Sequence, residues 1–167
     1  GPGAETIRLM GDKITARDFA VRHEVPVSPS VMADGDLSRF ATDASRMGFP
    51  LLIKAAAGGG GKGMSIVRSM DDLIERASLA TGEAGRYFGD NRIYAERYVE
   101  RPRHIEVQIV GDGKGNVIHL GDRECSIQRR FQKIIEEAPS VNLPDNLRAA
   151  MIDSALRLAS AACYENV

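Results

Sequence analysis

The 167-residue sequence predicts an α+β fold, and three observations carry that prediction. Apolar residues recur at helical spacing over 4 to 23, over 37 to 47 and again after Pro144. Residues 51 to 67, LLIKAAAGGGGKGMSIV, set strand-like runs on either side of a glycine run. From residue 93 the texture turns to β, with IYAERYV, HIEVQIV and VIHLGDR in succession. At 43% hydrophobic and 27% charged, with a net charge of -1, the chain can bury one sizeable core. That balance gives no reason to expect nucleic acid or an anionic membrane as main partner. Cys125 and Cys163 show neither metal-type spacing nor a framework of pairs, so a reducing cytoplasm is the expected compartment. No stretch is apolar enough for long enough to span a bilayer.

Taken in order, Ile7, Met10, Ile14, Ala20 and Val21 predict a helix over 4 to 23, stopped before Pro26. VPVSPSV is extended, and Asp34 or Asp36 caps a helix over Leu37 to Met47 that Gly48 ends. LLIKA and MSIVR are strands. Ser69 with Asp72 resembles a capping box opening a helix that fades near Gly82 to Gly85. GDGKGN is a hairpin loop between HIEVQIV and VIHLGDR. Alternation in HIEVQIV puts Ile105, Val107 and Ile109 on a core face and His104, Glu106 and Gln108 on a polar one. Pro144 occupies the first turn of a last helix with Leu147, Met151, Leu156 and Leu158 among its apolar positions. The ending CYENV, directly after that pattern, reads as a cut chain.

The glycine run satisfies parts of several phosphate-binding patterns, and chain direction separates them. A Walker loop needs a hydroxyl residue after its lysine, whereas Lys62 precedes Gly63. A dinucleotide loop must open a helix, whereas MSIVR is β-branched and extended. What remains is a hairpin tip with Lys54 on its incoming strand, whose glycines let main-chain N–H groups approach phosphate oxygens. A ligand-free turn is the plain alternative, but five glycines exceed what a turn requires. Downstream, Glu96 lies beside a segment whose main chain could read an adenine edge, its carboxylate free for an amino group or a ribose hydroxyl. His104 and Gln128 are neutral donors suited to sugar and phosphate oxygens. Lys133 is either a salt-bridged lysine or an anion ligand, and Arg129 and Arg130 taken singly are surface charge.

The order of MGDK, IKAAAGGGGKGM, ERPRHIEVQI and RECSIQRRFQKIIEEAP closely resembles the biotin carboxylase family of ATP-grasp enzymes. The resemblance covers most of the chain. It implies an ATP-grasp fold truncated at both ends: residues 1–28 as the end of an N-terminal domain, 29–98 as an ATP-lid subdomain, and 99–167 as the first part of a central domain. It implies that Lys13 and Lys54 hold ATP phosphates while Gly59, Gly60, Gly61, Lys62, Gly63 and Met64 close over them. Glu96, Arg97, Tyr98 and Val99 would line the adenine pocket, His104 and Gln128 would touch the nucleotide, and Lys133 would sit by phosphate and bicarbonate as the catalytic cation.

The family reaction is phosphorylation of bicarbonate by ATP to carboxyphosphate, whose carbon dioxide passes to biotin on a carrier protein. The implied partners are a biotin carboxyl carrier and a carboxyltransferase component of an acyl-CoA carboxylase, and a homodimer is compatible with the full-length protein. The Mg2+ ligands would lie beyond Val167, past a strand beginning just after it, leaving no metal site in this chain and little prospect of catalysis by the chain alone. Phe131 stands where the family commonly has histidine, Ala57 where it has glycine and Lys62 where it has arginine, which implies a variant within the family. Another ATP-grasp carboxylate ligase, a carbamoyl-phosphate-synthase-like enzyme and a non-catalytic nucleotide-binding module are the alternatives.

Overall fold

The computed structural model describes residues 1–57, 63–130 and 132–167, and the chain divides into two compact units. The glycine-loop unit comprises Asp12–Ile14 and Val27–Glu100; the long-hairpin unit comprises Gly1–Gly11, Thr15–Pro26 and Arg101–Val167. The single helix expected over 4 to 23 is two helices, α1 (Ala4–Gly11) and α2 (Lys13–Arg22). Asp12 makes the break: its Oδ1 accepts a hydrogen bond from Ile14 N at 3.0 Å, restarting the helix as a cap does. Lys13 N–H is also drawn out of a continuous helix, toward Ala56 O at 3.3 Å.

In the glycine-loop unit, β1 (Ser30–Met32), α3 (Leu37–Ser45), β2 (Leu51–Ala55), β3 (Ser65–Val67), α4 (Met70–Phe88) and β4 (Ile93–Arg97) form an antiparallel sheet ordered β1-β4-β2-β3 with helices on one face. Alternation in β2 sends Leu51, Ile53 and Ala55 into the core, and β4 adds Ile93 and Ala95. Phe40, Ala41 and Ala44 of α3 and Leu73, Ala77, Ala80 and Ala84 of α4 meet them at helical spacing. Asp36 rather than Asp34 caps α3, accepting from Ser38 N and Arg39 N. Ser69 at the start of α4 makes no side-chain bond to the backbone; its hydroxyl lies 3.2 Å from the Asp72 carboxylate instead. The expected fading near Gly82 to Gly85 does not occur, because the buried alanine stripe carries the helix to Gly89, which takes the left-handed conformation (φ 69°) that closes it.

In the long-hairpin unit, β5 (Ile105–Asp112), β6 (Val117–Arg129), β7 (Gln132–Glu137) and β8 (Glu165–Asn166) form a sheet ordered β7-β6-β5-β8, packed by α5 (Asp145–Ala161). Pro144 is the residue before α5 rather than in its first turn. The short strand β8, which the sequence does not signal, pairs with Gly111 and Asp112. The alternation of HIEVQIV is not carried through: the β5–β6 register shifts between Val107 and Ile109, with Gly121 of β6 at φ 95° beside the irregularity. Ile105 and Val107 nevertheless line one apolar cavity of about 420 Å3 with Leu147, Met151 and Leu158. Among the described residues this unit buries few apolar side chains, Cys125, Leu143, Ala20 and Ala159, and holds Asp122 and Ser140 buried beside them. Asp122 accepts from Ser140 N at 2.8 Å and pairs with Arg148, whose Nη2 donates to Ser140 O.

Candidate functional site

Two clusters of sequence-predicted residues form, one in each unit. The β2–β3 pairing, Leu51 opposite Val67 and Ile53 opposite Ser65, makes the glycine run the connection of an antiparallel hairpin. Gly59, Gly60, Gly61 and Lys62 lie outside the described residues, as does Phe131. Gly63 at the end of the run is buried, and a Cβ there would stand 3.4 Å from that of Ala55 and 4.0 Å from the Phe88 ring. Met64 beside it is half-buried.

The strand face away from α3 and α4 carries the charge. Because Lys54 pairs with Tyr94 and Leu52 with Glu96, Lys54 and Glu96 are diagonal neighbours on this face. Their side chains meet at 2.5 Å between Nζ and Oε1, both about four-fifths buried. The Glu96 carboxylate, expected from the sequence to be free for a ligand, instead fixes the lysine. An ammonium has three donors, so this bond leaves Lys54 capacity for an anion. Lys13 joins the cluster: burial lowers its pKa first, and the Lys54 charge lowers it further against the opposing pull of Asp12. Glu96 and Asp12 offset part of this positive charge, and an anionic ligand would offset more of it.

The expected adenine-lining segment is largely occupied with its own structure. Arg97 N donates to Pro29 O and Tyr98 N to Pro50 O, while the Arg97 guanidinium reaches Met47 O at 2.6 Å. Val99 is exposed.

In the long-hairpin unit, Glu106 of β5 stands opposite Arg123 of β6, and Lys133 of β7 reaches across to it. Arg123 and Lys133 both donate to the Glu106 carboxylate, and Arg123 also pairs with Glu136 at 2.9 Å. Burial alone would raise the Glu106 carboxyl, but hydrogen bonds from Lys133 and Arg123 and their charges outweigh it and hold it at about 2. The Glu106 hydrogen bond in turn raises the Lys133 pKa, which keeps Lys133 a cation and makes it unsuited to act as a base. Of the two readings open in the sequence for Lys133, the salt-bridged one holds here, although its two remaining donors can still serve an anion.

Gln128 supports His104. Its Nε2 donates to Cys125 O at 2.8 Å and lies 2.8 Å from His104 Nδ1. A carbonyl can only accept, so the Gln128 nitrogen is fixed as donor and Nδ1 as acceptor. Neutral His104 then carries its proton on Nε2 and presents it outward, 3.7 Å from Glu106. Arg123 and the Arg103–Glu124 pair (3.0 Å between Nε and Oε1) were not singled out from the sequence; opposite charges on adjacent strands become a signal only once the register is known.

Mg2+ does not fit the described residues. Glu106, Cys125 and Glu136 are the one group with converging ligand atoms among them, but both carboxylates are already paired with cations and a thiol is a soft ligand. No helix among the described residues is long and apolar enough to cross a membrane.

A family profile described as carbamoyl-phosphate synthase L chain, ATP binding domain, matches residues 12–167. Pyruvate carboxylase from Aspergillus terreus is 44% identical over 171 residues, a match covering 99% of this chain and 14% of that protein. Biotin carboxylase from Nostoc sp. is 48% identical over 160 residues, covering 95% of this chain and 36% of that one. Among solved structures, a biotin carboxylase β-γ-ATP complex from Campylobacter jejuni matches with a TM-score of 0.90 and 45% identity, over 99% of this chain and 37% of its own. The biotin carboxylase domain dimer of Hydrogenobacter thermophilus 2-oxoglutarate carboxylase, in complex with MgADP, ADP and bicarbonate, gives 0.91 and 40%, over 99% and 37%. The chain thus spans about a third of the biotin carboxylases and a smaller part of the pyruvate carboxylases it matches.

Proposed function

The chain belongs to the carbamoyl-phosphate synthase L chain, ATP binding domain family and has the ATP-grasp fold of biotin carboxylases, and from that premise we propose that it grips the phosphates of ATP within a longer biotin carboxylase. The proposed reaction of that protein is the ATP-dependent carboxylation of biotin on a carrier protein with bicarbonate, through carboxyphosphate. The observation that carries the proposal is the meeting of two lysine-bearing segments where β2 leads into the glycine run: Lys54 lies two residues before Ala56, whose carbonyl accepts from Lys13 N at 3.3 Å. Glu96 holds the Lys54 ammonium in place through their 2.5 Å contact, so the cation is oriented before the ligand arrives. His104 offers its Nε2 proton to a nucleotide oxygen, with Gln128 fixing the tautomer.

In the chemical step a bicarbonate oxygen bonds to the γ-phosphorus as the bond to ADP breaks, and charge spreads over the phosphoryl oxygens. Such transfers depend on positioning and on cations, which a lysine kept protonated supplies and a base does not. Lys133 takes that role in the proposal. Mg2+ would compensate phosphate charge, and the described residues offer it no fitting ligand set. The 44% identity to pyruvate carboxylases supports a keto-acid acceptor as well as the acyl-CoA acceptor expected from the sequence. The carrier, the carboxyltransferase component and a dimeric state belong to the same proposal.

The test is ADP release by the full-length protein. It should require both bicarbonate and biotin, and Lys54→Met should reduce it about tenfold or more, the loss of one charge-assisted contact. ADP release indifferent to biotin would overturn the carboxylase reading.

A further inference from the structure

Resting on the phosphate role given to Lys13 above, we infer that Arg92 is a positioning residue, whose ion pair with Asp12 and shared bonding through Ala56 hold the segment 12–14 against the end of β2 and so keep Lys13 within the electrostatic reach of Lys54. Two ammonium groups repel, so a lysine on a loose segment would swing away from its neighbour into water. The segment is not loose. Arg92 Nη2 lies 2.8 Å from Asp12 Oδ2, while Asp12 Oδ1 accepts from Ile14 N at 3.0 Å. One carboxylate thus ties the residues flanking Lys13 to the guanidinium. The main chain adds a second tie through one peptide: Ala56 N donates to Arg92 O at 2.9 Å, and Ala56 O accepts from Lys13 N at 3.3 Å.

The guanidinium is itself braced from the other side. Arg92 Nε lies 3.0 Å and Nη2 2.7 Å from Asp90 Oδ2, and Arg92 N donates to Asp90 Oδ1 at 3.0 Å. The hydrogen bond from the Arg92 side chain is the leading cause of the lowered Asp90 pKa, which favours the charged, paired form of the carboxylate. A planar, always charged guanidinium can serve two carboxylates in fixed directions, which a lysine does less well. Asp90, Arg92 and Asp12 therefore form a continuous strut from the start of β4 to the restart of α2 at Lys13. The charged groups facing Lys13 include Lys54 and Asp12.

The test reads the lysine directly. In isotopically labelled protein, the Lys13 side-chain pKa is measured by NMR with and without Lys54→Met. Removing the neighbouring positive charge should raise it. In an Arg92→Met background that response should shrink or vanish, and Arg92→Lys should restore part of it. Asp12→Asn, which keeps an acceptor for Ile14 N but weakens the pairing with Arg92, should act like Arg92→Met and carries the test if the latter fails to fold. An undiminished response in the Arg92→Met and Asp12→Asn backgrounds would overturn the inference. ATP affinity should fall about threefold to fivefold in Arg92→Met, the scale of one partly exposed pair, with adenosine binding unchanged. If the unaltered protein bound no ATP, the phosphate reading would fail while the lysine coupling would still decide the role of Arg92.

Discussion

The two units are held together by different physics. In the glycine-loop unit Phe40, Leu51, Ile53, Leu73, Ile93 and Val67 are almost entirely withdrawn from water around one dry core. In the long-hairpin unit the large apolar residues of the sheet and of α5 stay half in water, with Leu120 63% and Leu147 48% exposed. Order there comes from directed polar contacts: Asp122 with Arg148 and Ser140, Arg103 with Glu124, and Glu106 with Arg123 and Lys133. Apolar burial is undirected and tolerates substitution by volume, whereas a polar lattice specifies where each side chain points. The first suits a platform that carries Lys54 on its open face and fastens the segment of Lys13 through Ala56. The second fixes the tautomer of His104 and the charge of Lys133.

Substitutions can break or sharpen that contrast. Phe40→Ala should cost about 4 kcal/mol and remove hydrogen-exchange protection across the glycine-loop sheet, whereas Leu147→Ala, at a half-exposed cavity wall, should cost about 1 kcal/mol. Equal losses would erase the distinction. Asp122→Ala should destabilise the long-hairpin unit by about 3 kcal/mol in chemical denaturation, because it leaves the Arg148 charge in a largely enclosed place without its partner. Acid should act on the same unit first. Glu106 is held at about 2 against an ordinary 4.5, so its stabilising contribution is complete above about 4.5 and disappears as the pH falls toward 2; loss of β5–β6 amide protection in that window would show it. Asp36→Ala, which removes the acceptor for Ser38 N and Arg39 N, should lower glycine-loop stability by about 1 kcal/mol in the same denaturation assay.

Much of this was readable from residue order. The hairpin around the glycine run followed from β-branched residues after it, and β2 and β3 pair as that reading requires. The three β-runs from residue 93 appear as β4, β5 and β6. What escaped depended on contacts distant in sequence. Apolar periodicity runs through Asp12 without interruption, and only its side-chain bond to Ile14 and the pull of Ala56 on Lys13 divide the helix. Glycines at 82 and 85 weaken a helix in isolation, yet Ala77, Ala80 and Ala84 bury the stripe that sustains it. Strand β7 is not legible in the sequence, because QKIIEE carries no clean alternation and its place comes from pairing with β6. Glu96 and Lys133 looked available for ligand in the sequence; a diagonal neighbour and a cross-strand partner claim part of each.

The central claim is that Lys13 and Lys54 form a phosphate site, and calorimetric titration of this chain with ATP and with adenosine tests it most directly. ATP should bind about tenfold or more tightly than adenosine, with an advantage that falls as salt is added and disappears in Lys54→Met. Equal affinity for the two ligands, or an ATP affinity that Lys54→Met leaves unchanged, would contradict it.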